Sequence, residues 1–135
     1  TATDGGGGLG FIVNLERVAH ELRVQAVQKM LRDRYDAYHS RAWKVLVNKK
    51  YLEQGDVANS ALVPPKVARE ALYQLYRDRF VTMEEVPKRA DHHHAGTTNY
   101  LWTVNHEEVR EAVVDGIHDA ILRARTRRQA FHEAN

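Results

Sequence analysis

The sequence predicts a mainly α-helical domain of the α+β class, with a small antiparallel sheet and a long C-terminal helix. Four segments before residue 80 and one after residue 104 carry apolar residues at helical spacing. Two short runs between them, "FVTMEEV" and "NYLWTV", have the composition and alternation of strands. A chain of 135 residues is long enough for one domain with its own core.

The first two helices are predicted from apolar spacing and capping residues. Asn14 is expected to cap the first helix, which should reach about Tyr35. The apolar run 10–13 ahead of it is consistent with one strand, and a second helix should run roughly from Ser40 to Lys49. The side chains expected to face inward from the second helix are Ala42, Trp43, Leu46 and Val47.

The third and fourth helices are separated by two prolines. "QGDVANSALVPP" is typical of a short helix, a turn and a stop, because proline does not fit a helix interior. Proline suits the first turn of a helix, so the next helix should start at the Pro64-Pro65 pair. Its predicted buried stripe consists of Ala68, Ala71, Leu72, Leu75 and Tyr76.

The last two elements are a strand and a long helix. Tyr100 and Trp102 share one face of "NYLWTV", as expected for a strand with a period of two. Asn105 should cap the final helix, with Glu107 and Glu108 in its first turn. Three helices followed by a hairpin with an extended loop is the winged-helix order, so the expected fold is an extended winged-helix domain.

Two stretches of the sequence also resemble a known protein family. "YLEQGDVANSALVPPKVAREALYQLYRDRFVTMEEVPKRADHH" followed by "TTNYLWTV" resembles the largest subunit of the three-subunit subcomplex specific to RNA polymerase III. That subunit is itself similar to the alpha subunit of general transcription factor IIE. Members of this family contain several extended winged-helix domains and a C-terminal coiled coil. The wing tip departs from the family pattern, with His93 to Thr97 in place of Ala-Pro-Ser-Arg.

The glycine-rich composition of the N-terminus and the resemblance together predict how the chain is divided. Residues 1–10 are expected to form a flexible glycine-rich leader, and residues 11–104 an extended winged-helix domain. Residues 105–135 should form a C-terminal helix that leads toward a coiled coil. Because the chain begins with Thr1 and has nothing like a presequence, we expect it to be a piece of a longer protein.

Composition and spacing argue against several function classes. The chain has no cysteine, which excludes thiol catalysis and thiolate metal sites, and no apolar run long enough for a membrane helix. The only serines, Ser40 and Ser60, lie outside any nucleophile-elbow pattern, so we expect no enzymatic activity. Consecutive side chains on an extended segment point in alternating directions, so His92, His93 and His94 should not converge on a metal ion. No metal and no cofactor are expected.

DNA contact and partner binding remain as functions. The net charge is only +2, although residues 15–51 carry nine Lys or Arg against four Asp or Glu. Such mild basicity permits weak, non-specific contact with the DNA backbone, and Glu70 and Asp78 should weaken it. The candidate DNA contacts are Lys66, Arg69, Arg77, Lys88 and Arg89. The candidate partner surface of the last helix, which would allow self-association, consists of Val113, Ile117 and Ile121.

The resemblance implies a non-catalytic part of DNA-directed RNA polymerase III in the nucleus. Such a part would bind other subunits of the polymerase and would help to recruit the enzyme and to open or hold promoter DNA. The alternative is a winged-helix DNA-binding transcription regulator, which differs from a polymerase module in its sequence discrimination.

Overall fold

The computed structural model describes residues 10–87 and 98–134. The described elements follow the predicted order, and the predicted fold class, mainly α with a small antiparallel sheet, is confirmed. The helices are α1 (Leu15–Arg34), α2 (Ala37–Lys49), α3 (Gln54–Ala61), α4 (Pro65–Arg77) and α5 (His106–Glu133), and the strands are β1 (Thr82–Pro87) and β2 (Thr98–Thr103).

Helix α1 begins where its cap predicts, but the segment before it is not a strand. Asn14 Oδ1 accepts a hydrogen bond from the Arg17 amide at 3.1 Å, and Tyr35 is the C-cap. The prediction of a strand at residues 10–13 is wrong, because the segment is unpaired and the side chains of Phe11 and Ile12 are more than nine-tenths exposed. A strand needs a partner for its N–H and C=O groups, and in the described sheet β1 and β2 pair with each other.

Helix α2 begins at Ala37, earlier than the predicted start at Ser40. The reason is Asp36, whose Oδ1 accepts the backbone N–H groups of Tyr38 and His39 at 2.8 and 2.9 Å. Ser40 is instead a buried interior residue, and its hydroxyl donates to the Gln28 carbonyl at 3.1 Å. Of the four side chains expected to face inward, Ala42, Trp43 and Leu46 are fully buried and Val47 is partly buried.

The sheet is a two-stranded hairpin extended by a single bridge. Met83 of β1 pairs with Trp102 of β2, and Trp102 also exchanges backbone hydrogen bonds of 3.1 and 2.8 Å with Leu52. Trp102 is buried, whereas Tyr100 on the same face of β2 is half exposed. The predicted burial of Tyr76 is wrong, because its ring lies at the margin of the core and packs edge-on against Trp102 while remaining 46% exposed.

The core lies between α1, α2 and α4 and is closed by the hairpin and the first turns of α5. Its central side chain is Trp43, which is fully buried and donates its indole N–H to the Phe80 carbonyl at 3.1 Å. A smaller apolar cluster joins α3 to the start of α4. The main cluster consists of Val24, Leu31, Ala42, Trp43, Leu46, Val57, Leu72, Leu75, Phe80, Val81, Trp102 and Val109.

The end of α3 offers a test of local backbone geometry. Leu62 is the C-cap in the left-handed region, with φ 53° and ψ 50°, and its side chain is 80% exposed. Because glycine adopts this conformation without strain, Leu62→Gly is expected to raise the free energy of unfolding by about 0.5–1 kcal/mol. In the matched control, Leu122→Gly within α5 should lower it by about 1 kcal/mol. Urea denaturation measures both, and a destabilised Leu62→Gly protein would contradict the assignment.

Candidate nucleic-acid and partner interface

Helix α4 presents two of the predicted DNA contacts to solvent. It buries Ala68, Ala71, Leu72 and Leu75 against the core, so the opposite side of the helix is exposed. Lys66 and Arg69 lie on that side, three residues apart and therefore neighbours on the helix surface. Neither makes an ion pair within the part of the chain that the structure describes. The exposed Glu70 follows directly and lowers the local positive potential.

The third predicted contact on α4, Arg77, is already paired. Its Nε lies 3.1 Å from Asp78 Oδ1, and Arg34 Nη2 lies 3.4 Å from Asp78 Oδ2. The Tyr35 hydroxyl also donates to this carboxylate, most of whose surface is buried. Burial favours a higher pKa for Asp78, but the hydrogen bonds from Arg77 and Tyr35 outweigh it and hold the pKa below its usual value. Asp78 therefore neutralises part of the Arg77 charge at the end of α4.

Sequence reasoning missed an aromatic group beside these cations. Tyr73 and Tyr76 of α4 are half exposed, and their rings meet Trp102 edge-on at centroid distances of 5.5 and 6.0 Å. Tyr100 lies on the same face of β2 as Trp102 and is also half exposed. Half-exposed tyrosines beside arginine are the side chains enriched at protein–protein interfaces. The three-residue spacing of Tyr73 and Tyr76 was the available signal, since it places both on one side of α4.

Two predicted sites fall outside the described residues. Lys88 and Arg89, the remaining candidate DNA contacts, and the histidines at 92–94 belong to the segment between β1 and β2 that the structure does not describe. Within residues 10–87 and 98–134, the structure brings no three His, Cys, Asp or Glu side chains together as metal ligands. None of the described helices is long and apolar enough to cross a membrane.

The candidate partner surface on α5 leaves the domain partway along the helix. Val109 is buried and Val113 is packed partly against the core, so Val113 belongs to the margin of the domain. Ile117 and Ile121 are 53% and 45% exposed. Every described residue from 117 to 134 is exposed. The apolar stripe is therefore accessible from Ile117 onward.

Helices α1 and α5 border a shallow groove of about 280 Å³. Its apolar lining includes Val24, Trp43 and Val113. At one end the rings of His20 and His106 meet edge-on, with their centroids 4.9 Å apart. Burial lowers the pKa of His106, and the neighbouring His20 lowers it further. This end of the groove therefore favours the neutral form of the His106 imidazole.

Comparison with known proteins identifies relatives of this domain. The family model described as "POLR3C, C-terminal winged-helix domain" matches residues 27–104. The rat DNA-directed RNA polymerase III subunit RPC3 is 33% identical over 104 residues, which cover 77% of this chain and 19% of the relative. The zebrafish RPC3 subunit is 36% identical over the same shares of the two chains. The chain thus spans about a fifth of the length of these relatives.

Solved structures share the fold at low sequence identity. A possible transcriptional regulator from Methanosarcina mazei has a TM-score of 0.58 and 9% identity, covering 73% of this chain and 82% of the regulator. The archaeal chromatin protein TrmBL2 has a TM-score of 0.58 and 18% identity, covering 82% of this chain and 40% of that protein. At these identities the likeness concerns the fold alone.

Proposed function

This chain belongs to the POLR3C family through its C-terminal winged-helix domain, and on that premise we propose that it is a non-catalytic module of nuclear RNA polymerase III. The module assists promoter recruitment and open-complex formation by binding other polymerase subunits and by weak contacts with the DNA backbone. The observation that carries the proposal is the family match, which begins within α1 at residue 27 and ends just after β2 at residue 104.

The exposed face of α4 supports contact with phosphates more than reading of bases. Lys66 and Arg69 are free to meet phosphate, whereas Arg77 is shared with Asp78. Helices that read bases place Arg, Lys, Asn or Gln side chains on base edges, and Glu70 interrupts such a row here. Contacts to phosphates position a protein on DNA without specifying a sequence.

A winged-helix transcription regulator is the second candidate. Two proteins that share this fold at low identity favour it. One is a possible transcriptional regulator, and the other is a chromatin protein described as binding DNA. The half-exposed tyrosines beside Trp102 favour the polymerase module instead, because they form a surface suited to a protein partner.

The direct test of the proposal is affinity capture of the full-length protein that contains this domain. Mass spectrometry of the captured material is expected to identify the other RNA polymerase III subunits in stoichiometric amounts. A test variant of the same protein carries Tyr73→Ala and Tyr76→Ala. It should capture less of the polymerase subunits if the surface formed by these two tyrosines binds a subunit. Capture without any polymerase subunit would contradict the proposal.

We expect DNA binding by this chain to be weak and salt-dependent. The five candidate residues by themselves would contribute about −4.5 to the log–log salt slope on duplex DNA, or about −3.6 if Arg77 remains paired with Asp78. Lys88→Gln with Arg89→Gln should make the slope shallower by about 2 units if both contact phosphate. Glu70→Lys should tighten binding equally on all sequences, because it removes a repulsive charge from the exposed face of α4. Fluorescence anisotropy on random duplexes at several salt concentrations measures these changes, and an unchanged affinity of Glu70→Lys would exclude α4 from the contact.

We also expect weak self-association through α5. Ile117 and Ile121 are exposed on one side of the helix and continue the stripe that begins at Val113. Sedimentation velocity at high protein concentration should show reversible dimers, and Ile117→Glu with Ile121→Glu should abolish them. Val86→Glu, at a similarly exposed position on β1, is the control and should leave the dimers unchanged. A strict monomer at every concentration would contradict this expectation.

A further inference from the structure

The C-terminal half of α5 carries a cluster of arginines without acidic partners. Within the described residues, none of the arginines in this cluster makes an ion pair. Four arginines elsewhere in the chain do make one: Arg34, Arg77, Arg79 and Arg110. Every position in the cluster is exposed. The cluster, which we call the arginine segment, consists of Arg123, Arg125, Arg127 and Arg128.

The helix arranges the arginine segment as two ridges. Arg123 and Arg127 are four residues apart and lie one above the other, and the Arg127 Nε donates to the Arg123 carbonyl at 3.3 Å. Arg125 and Arg128 are three residues apart and form a second pair. At about 100° per residue, the two ridges lie roughly 150° apart around the helix axis. The positive charge therefore occupies both flanks of the helix.

This geometry fits a ligand that carries negative charge on both sides of a groove. The major groove of B-form DNA is about 12 Å wide and admits an α-helix, with a phosphate backbone on each side. An acidic peptide lying along one face would meet only one ridge. The major groove of A-form RNA is too narrow for a helix. We infer that the arginine segment of α5 is a binding site for the backbone of duplex DNA, separate from the exposed face of α4.

The other residues of α5 explain why DNA contact is confined to the C-terminal end of the helix. They also explain why this contact does not distinguish one base sequence from another. The first turns carry Glu107, Glu108, Glu111 and Asp115 against the single Arg110, and this charge repels phosphate. Between the ridges lies Ala124, which cannot donate to bases, and the Thr126 hydroxyl donates to the Leu122 carbonyl at 3.0 Å. The segment therefore binds phosphate at the end of α5 that lies farthest along the helix from the domain core.

The test compares two ridge variants of the 135-residue chain with a charge-matched control. One variant carries Arg123→Gln and Arg127→Gln, and the other carries Arg125→Gln and Arg128→Gln. The control carries Arg17→Gln and Arg32→Gln on α1, two exposed arginines without ion pairs in the described part of the chain. Glutamine has nearly the helix propensity of arginine, so circular dichroism should show unchanged helix content in all three proteins. The probes are random-sequence duplex DNA, duplex RNA of the same length and polyglutamate.

Each ridge variant is expected to make the log–log salt slope on duplex DNA shallower by about 1.8 units, since two phosphate contacts are lost. The dissociation constant in ~0.1 M salt should rise by roughly 60-fold, which is the loss of 1.8 slope units over the one decade between 0.1 M and 1 M salt, whereas the α1 control should change little. An unchanged slope in both ridge variants overturns the inference, as does an effect of only one ridge or equal affinity for duplex RNA or polyglutamate. The proposed role in RNA polymerase III is tested separately by subunit capture, so the two can fail independently.

Discussion

Trp43→Ala is expected to lower the free energy of unfolding by about 3–5 kcal/mol. Trp43 is fully buried at the centre of the main cluster, and its indole N–H donates to the Phe80 carbonyl. Truncation leaves a cavity next to the groove between α1 and α5 and removes the hydrogen-bond partner of a buried carbonyl. Because domains of this size are stable by only about 5–15 kcal/mol, the change is a large fraction of the total.

Two further variants separate the contributions at Trp43. Trp43→Phe keeps an aromatic ring but loses the N–H donor, so it should cost less than the alanine change. Phe11→Ala removes an aromatic side chain that is 96% exposed, and its effect should stay within about 0.5 kcal/mol. Urea denaturation followed by circular dichroism measures all three. A loss below about 1 kcal/mol for Trp43→Ala would show that α2 does not form the centre of the core.

Asp78→Asn should have the second largest effect, lowering the free energy of unfolding by about 1–3 kcal/mol at neutral pH. The carboxylate joins the end of α1 to the end of α4, because it accepts from Tyr35 and pairs with Arg34 of α1 and Arg77 of α4. Asn keeps the shape but removes the charge, so the two guanidinium groups lose their partner. Asp33→Asn is the control, since Asp33 is exposed and makes no ion pair in the described part of the chain.

The Asp78 contribution has a defined pH dependence. The pKa of Asp78 is lower in the folded protein than in the unfolded chain, so its stabilisation is fully present above the unfolded value of about 3.9. It is lost as the pH falls from there through the folded pKa. The stabilities of the wild-type protein and Asp78→Asn should therefore converge in acid. A constant difference down to the lowest pH would contradict the ion pairs.

Tyr35 should make the stability of the protein depend on pH in the alkaline range. Burial and the hydrogen bond to Asp78 raise its pKa to about 12. Its contribution is fully present below the unfolded pKa of about 10 and is lost as the pH rises through the folded value. An ultraviolet titration should show one late-titrating tyrosine that is absent in Tyr35→Phe.

The sequence was most informative where structure depends on neighbouring residues. Asn14 and Asn105 cap helices α1 and α5 as predicted, because a cap is decided by a side chain and the amides two or three residues after it. The start of α4 follows from Pro65 at its first position. The wrong start of α2 has the same local origin, since Asp36 offered a competing cap that apolar spacing did not show.

The failures concern contacts between distant residues. A strand at 10–13 required a partner that the sequence did not specify. Arg77 stays a candidate phosphate contact, but its spacing could not show that its partner Asp78 is also held by Tyr35, 43 residues away. The sequence places the arginines after residue 122 on the last helix but cannot show whether they have acidic partners. Their lack of acidic partners became visible once the neighbours of α5 were known.

The sequence discrimination of this chain on DNA distinguishes most directly between a polymerase module and a transcription regulator. Selection from a random-sequence duplex library, followed by titration of the best selected duplex and of the unselected pool, gives the ratio of the two dissociation constants. A polymerase module that contacts only phosphates should show a ratio within about tenfold. A ratio above about a hundredfold corresponds to ~2.7 kcal/mol of discrimination, which requires base contacts or shape reading. That result would contradict the polymerase-module account and support a transcription regulator.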